Sequence, residues 1–257
     1  MDRTPTQPLS PPEQADLLRR GSPYRRPIVA LGLVLAITLF LAWLPAGQRR
    51  EIFVAVVARR SFILAILLFT LLSLSLLWAR GQIIDNKVFL FVNLWGHRPK
   101  WLDAAMWVIT QIGGGWSALL LAFGLLLVRQ ANLALELVLG TLSLALLVEG
   151  LKELTNRARP YLIHAEARVI GWRAPGRSFP SGHTAQAFFL MTLLNFQWHA
   201  VLPLTIALFA TAVAVGITRM YVGAHFPRDV VGGSILGMAW GIFFILIDPF
   251  WHTWFVF

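Results

Sequence analysis

Seven apolar runs, nearly free of charge, divide this chain and decide what it can fold into. They cover about residues 28–46, 61–78, 107–128, 132–151, 184–197, 200–217 and 230–247. Most have the roughly 17–25 residues that a spanning helix needs, and the fifth reaches that length only if it starts at Ser181. Of 257 residues, 57% are hydrophobic and 13% charged, with a mean hydropathy of +0.68. A soluble domain carries about a quarter of its residues charged, and its apolar residues are not gathered into such runs. The expected fold is therefore all-α: a polytopic membrane helical bundle, with a six-helix core and an extra N-terminal apolar segment.

Residues 1–27 are polar and rich in proline and arginine, and read as a mobile basic tail. Residues 28–60 form the extra apolar segment and a basic connector, and 61–257 form the main membrane domain. Between the second and third runs, Asp85 to Asp103 mixes apolar and charged residues, as an amphipathic helix in the interface would. Trp43 and Pro45 spoil the cleavage pattern that would make the first run a signal peptide. The net charge is +10, but its lysines and arginines sit in short connectors, where they meet lipid headgroups. Membrane lipids are thus the expected partners, not nucleic acid, and no obligate protein partner is implied. Trp78, Trp107, Trp198 and Trp251 near run ends fit the same interfacial picture. The absence of cysteine excludes disulfides, thiolate nucleophiles and cysteine metal sites.

Polar residues collect in three places: KELTNRARP (Lys152–Pro160), PSGH (Pro180–His183) and RMYVGAHFPRD (Arg219–Asp229). The fourth run ends on the face where the fifth begins, and the sixth returns to it. All three clusters therefore meet on one side of the membrane. Lys152 and Arg159, seven apart, can share a face of the fourth helix as it ends, and both suit a phosphate. Ser181 is a natural N-cap, Gly182 lets backbone approach a ligand, and free amides at a helix start attract anions. His183 falls in that first turn. His225 and Asp229 are four apart and can meet on a helix, or across a helix entrance if Pro227 starts one. A carboxylate on one imidazole nitrogen leaves the other free to attack. Arg219 adds a third cation. Taken singly, each cluster could be interfacial cations, a helix cap or a surface pair.

Together they resemble the three-part signature of the type 2 phosphatidic acid phosphatase superfamily, K-x6-RP, PSGH and R-x5-H-x3-D. The resemblance covers about residues 61–247 and includes LDAAMWVITQIGGG, similar to the family's second span; Thr218 stands where the family usually has serine. It implies a phosphatase that needs no metal or other cofactor. His225 would attack phosphorus, Asp229 would hold its ring, and His183 would protonate the leaving oxygen and later activate water. Lys152, Arg159 and Arg219, with Ser181 and the Gly182 amide, would hold the phosphoryl oxygens. His225 must be neutral and His183 protonated, so activity should peak between their ionisations. His97, His164, His199 and His252 match no motif.

A site at the mouth of a helical bundle suits a lipid phosphate, and the expected candidates are phosphatidic acid, phosphatidylglycerol phosphate, a polyprenyl diphosphate or a phosphorylated lipid A. Arg168, Arg173 and Arg177, in the loop from Tyr161 to Phe179, are expected to contact additional phosphate. A lipid transporter that binds headgroups without chemistry, or a phosphotransferase using the same site, are the rival readings. The resemblance implies a bacterial cytoplasmic membrane with the site on its outer face. Charge opposes this if all seven runs span, with 17 Lys and Arg on the site's side against 5 opposite. If the first run only dips into the bilayer, the split is 12 against 10 and orients nothing.

Overall fold

A computed structural model of the chain describes residues 25–96, 98–173 and 176–254, and among them there are helices and no strands. The helices are α1 (Arg25–Trp43), α2 (Ala46–Ala58), α3 (Arg60–Ser75), α4 (Ala79–Leu94), α5 (Lys100–Gln111), α6 (Gly115–Leu127), α7 (Ala131–Thr155), α8 (Pro160–Ile163), α9 (Gly182–Gln197), α10 (Leu202–Tyr221) and α11 (Pro227–Trp254). The expected mobile tail lies outside the described residues up to position 24, and Arg25–Pro27 already belong to α1. By length and composition, α7 (continued to Ile163), α10 and α11 can each cross a membrane. The pairs α2–α3, bent by 73°, and α5–α6, bent by 58°, can each make one further broken span. Two expectations change here. The basic connector after the first run is helical as α2. The third apolar run starts as early as Lys100 and breaks where Gly113, Gly114 and Gly115 follow one another, residues that weaken a helix interior. The amphipathic segment is α4, while residues 100–103 open α5.

α9 is the hub. Its 16 residues reach about 24 Å, short of the ~30 Å hydrocarbon core. It is nonetheless buried nearly all round, packed against α11 and α10 and touching α6 and α7. The α9–α11 approach is close because Gly233, Gly237 and Gly241 recur every fourth residue along α11. A Cβ on the first two would run into the α9 backbone at Ser181 and Ala185, and on the third into Thr192. Small residues at this spacing let membrane helices pack where hydrophobicity gives no net drive. Around this axis, α3 lies on α11, α5 and α4 lie on α10, and α1 lies on α7. The chain is thus an integral-membrane helical bundle, with α1 added outside the core.

Candidate active site

Three helix ends meet at one end of the bundle, as the crossing argument requires: the end of α7, the start of α9, and the junction of α10 with α11. The local reasons differ at each. α7 stops because Asn156 takes the left-handed conformation (φ 50°), and its N–H closes on the Lys152 carbonyl at 3.0 Å. Arg159 therefore does not continue the α7 face with Lys152, contrary to expectation. It sits at the N-cap of α8 ahead of Pro160, and the turn carries it back over the site. α11 starts at Pro227, so His225 and Asp229 face each other across a helix entrance.

His225 is buried at the centre. Its Nδ1 lies 2.8 Å from the Ser178 carbonyl and its Nε2 lies 3.3 Å from Arg159 Nη1. A carbonyl can only accept, so Nδ1 carries the proton and Nε2 keeps its lone pair. Burial, and then the charges of Arg159, Arg219 and Lys152, hold the ring's pKa well below that of an ordinary histidine. Asp229 supports the ring less directly than expected. Its Oδ2 stands 3.7 Å from Nδ1 and accepts the Phe226 amide at 2.8 Å. Its Oδ1 takes Arg157 Nη1 at 2.5 Å.

The other sequence candidates converge on the same place. The charges of Arg219, Lys152 and Arg159, with the His225 ring, all act on His183. Arg159 also donates to the Ala224 carbonyl at 3.1 Å, and Arg219 Nη1 donates to Thr110 Oγ1 at 2.8 Å. Lys152 pairs with Glu149 at 2.5 Å on the same helix. Ser181 occupies the N-cap position but makes no cap bond; its hydroxyl pairs instead with Thr184 Oγ1 at 2.9 Å. A Cβ on Gly182 would meet only Val148, at an ordinary 3.5 Å, so packing does not demand glycine there. A Cβ on Gly113, at the α5–α6 break, would run into the His183 carbonyl. The Thr218 hydroxyl turns back to the Val215 carbonyl at 2.6 Å.

Sequence reasoning missed the layer behind these groups. Arg157 joins Asp229 to Asp85 and to Gln82 (2.8 Å) and stacks over Phe226 at 4.6 Å. Asp85 also takes Arg228 Nε at 2.6 Å and its amide at 3.1 Å. The available signal was the period of four on α4, where Gly81, Asp85, Phe89 and Asn93 are all buried. Arg168, expected on phosphate, is instead tied to Asp103 at 2.7 Å, and its amide to Asn93 at 2.8 Å. Of the histidines outside the motifs, His164 stacks on Phe89 with ring centroids 6.0 Å apart, and His97 lies outside the described residues.

The fold and site define a helical membrane protein with a buried histidine, His225, and a half-buried one, His183, lined by cations at one end. Residues 133–252 match the PAP2 superfamily. Phosphatidylglycerophosphatase B of Bacillus subtilis (strain 168) is 33% identical over 170 residues, which is 60% of this chain and 77% of that protein. The lipid A 1-phosphatase of Rhizobium etli is 39% identical over 98 residues, 36% of this chain and 40% of that one. The crystal structure of a transmembrane PAP2-type phosphatidylglycerolphosphate phosphatase from Bacillus subtilis superposes with a TM-score of 0.64 at 27% identity, covering 74% of this chain and 96% of the other. The chain belongs to the PAP2 superfamily, among its membrane phosphatases.

Proposed function

We propose that this protein removes a phosphate from a membrane lipid, cutting a phosphomonoester or diphosphate through a phosphohistidine on His225. The observation that carries the reading is the His225 ring: Nδ1 fixed on the Ser178 carbonyl, and Nε2 turned toward Arg159. The Nε2 lone pair attacks phosphorus as the bond to the lipid oxygen breaks, and His183 gives that oxygen its proton. His183 then takes a proton from water, the hydroxide displaces Nε2, and inorganic phosphate leaves. Lys152, Arg159 and Arg219 face charge that spreads over the phosphoryl oxygens, where fixed cations contribute most. The Gly182 amide adds a donor at the positive end of α9. Asp229 holds the loop of His225 in place and fixes the ring only at second hand.

The substrates named for the relatives, a phosphatidylglycerol phosphate and lipid A, share a phosphate at headgroup depth with acyl chains in lipid. A site at a bundle end suits that shape. With Arg168 held by Asp103, the choice among headgroups is assigned to the other two arginines of the loop, Arg173 and Arg177. We place the site on the outer face of a bacterial cytoplasmic membrane. The test uses lipid labelled on its phosphate, quenched in alkali during turnover. Label should appear on histidine in the native protein and vanish, with all phosphate release, in His225→Ala. Undiminished phosphate release in that variant would refute the His225 phosphohistidine, and lipid movement with no phosphate release from the native protein would favour a transporter. Label passing to a second lipid rather than to water would make the protein a phosphotransferase.

A further inference from the structure

We propose that Glu149 selects the substrate by charge, admitting lipid phosphomonoesters and turning away lipid diphosphates. The inference rests on the phosphatase reading of the site and narrows it. Glu149 lies on α7 three residues before Lys152, so it stands about 4.5 Å further from the site's end of the bundle, on the hydrocarbon side. It continues the stripe of Leu142 and Leu146, both exposed on the outside of the helix. The Glu149 side chain is itself 67% exposed, in a helix able to cross the membrane. An ionisable group in that setting is costly and marks function by default. α7 therefore turns a carboxylate toward lipid one turn beneath the phosphate cations.

That carboxylate is also part of the charge of the site. Its Oε1 takes Lys152 Nζ at 2.5 Å, and its charge acts on Arg159 as well. Lys152, only 13% exposed, acts in turn on His183 and His225. The pair bridges the lipid face of α7 and the histidines. An ion pair at this spacing with one exposed partner is weak, so the lysine can turn to a phosphate while the carboxylate stays beside it. Asp229 is committed to Arg157. Lys152, Arg159 and Arg219 less Glu149 then leave two positive charges, a match for the nearly doubly ionised phosphate of a monoester. The tail of a bound lipid runs from the site into hydrocarbon, so whatever joins the reacting phosphate to the tail passes Glu149. In a phosphomonoester that link is an uncharged ester oxygen and its carbon. In a diphosphate it is a second anionic phosphate, which these cations leave unneutralised and which Glu149 repels.

Phosphatidic acid and diacylglycerol diphosphate differ only by that second phosphate. With the full-length protein in detergent, kcat/KM for phosphate release should favour phosphatidic acid. Glu149→Gln should raise the diphosphate relative to phosphatidic acid about fivefold or more, as expected for removing one partly screened charge at close range. Freeing Lys152 moves both substrates together, so the ratio isolates selection. A native preference for the diphosphate, or a ratio indifferent to Glu149→Gln, would overturn the proposal and leave the phosphatase reading standing. Retention of the two lipids in native mass spectrometry, by His225→Ala with and without Glu149→Gln, gives the same ratio without turnover. Were the native protein to release phosphate from neither lipid, the phosphatase reading would fall, and the retention ratio would still decide the role of Glu149.

Discussion

At the scale of residues, the proposed chemistry turns on one tautomer. The Ser178 carbonyl can hold His225 only while Nδ1 keeps its proton, so Nε2, the proposed nucleophile, carries no proton whenever the ring is neutral. The surrounding cations and burial lower the pKa of that ring, so protonation removes the nucleophile only below the ordinary histidine value of about 6.5. The sign is clear: as pH falls, phosphohistidine formation should persist past pH ~6.5 and fail only further down. Single-turnover labelling across pH 4–8 measures this, and an acid limb at or above about 6.5 would contradict the environment described for His225. The motif residues were legible because spacing and residue type together announce an anion site. Ser178 was not, since its contribution is a backbone carbonyl, which no side-chain pattern encodes. Ser181 was misjudged for a related reason: its identity fits a cap, but Thr184 at hydrogen-bond distance takes the hydroxyl.

At the scale of elements, α4 braces the catalytic junction from outside the three motifs. Arg157 spans Asp229, Gln82 and Asp85 with one planar guanidinium, and Asp85 in turn holds the start of α11 through Arg228. A lysine keeps the charge but cannot reach three acceptors at once. Arg157→Lys should therefore lower kcat roughly tenfold or more with KM little changed, because Arg157 positions Asp229 and does not face the phosphate. Steady-state kinetics on the purified variant separate these parameters; a rise in KM alone would mean Arg157 touches substrate. Asp85→Ala leaves two guanidiniums facing a void, and breaking buried pairs of this kind costs about 3–5 kcal/mol. Its unfolding temperature in detergent should drop well below that of Arg157→Lys. None of this could be read from order along the chain, because Asp85 and Asp229 are brought together by tertiary packing alone. The helix ends were more accessible: the run of glycines at 113–115 marks the α5–α6 break in retrospect, whereas the left-handed stop at Asn156 depends on a residue type common elsewhere.

At the scale of the whole molecule, the meeting of the three clusters at one end was readable and the direction was not. Every cluster fell on one side because apolar runs alternate sides whatever their depth, and the bundle obeys that rule. Direction rests on lysine and arginine, and here the rule is compromised by chemistry. Of the cations at the site's end, Lys152, Arg159 and Arg219 act on His183 in the proposed phosphate site, and Arg157 and Arg228 are locked to Asp85. Cations held for such reasons report little about topology, since the rule describes charge in connectors free to meet lipid. Removing these five leaves 12 against 5 if all seven runs span, which still opposes the outward orientation, and 7 against 10 if the first run only dips, which favours it. The chain contains no cysteine, so single cysteines can report position without background. Trp172→Cys, at a residue 75% exposed in the loop beside the site, should react with a membrane-impermeant maleimide in intact bacterial cells. Arg129→Cys, at the opposite end, should react only after the cells are opened. The reverse pattern would put the site in the cytoplasm, and the substrate would then have to be a lipid phosphate of the inner leaflet.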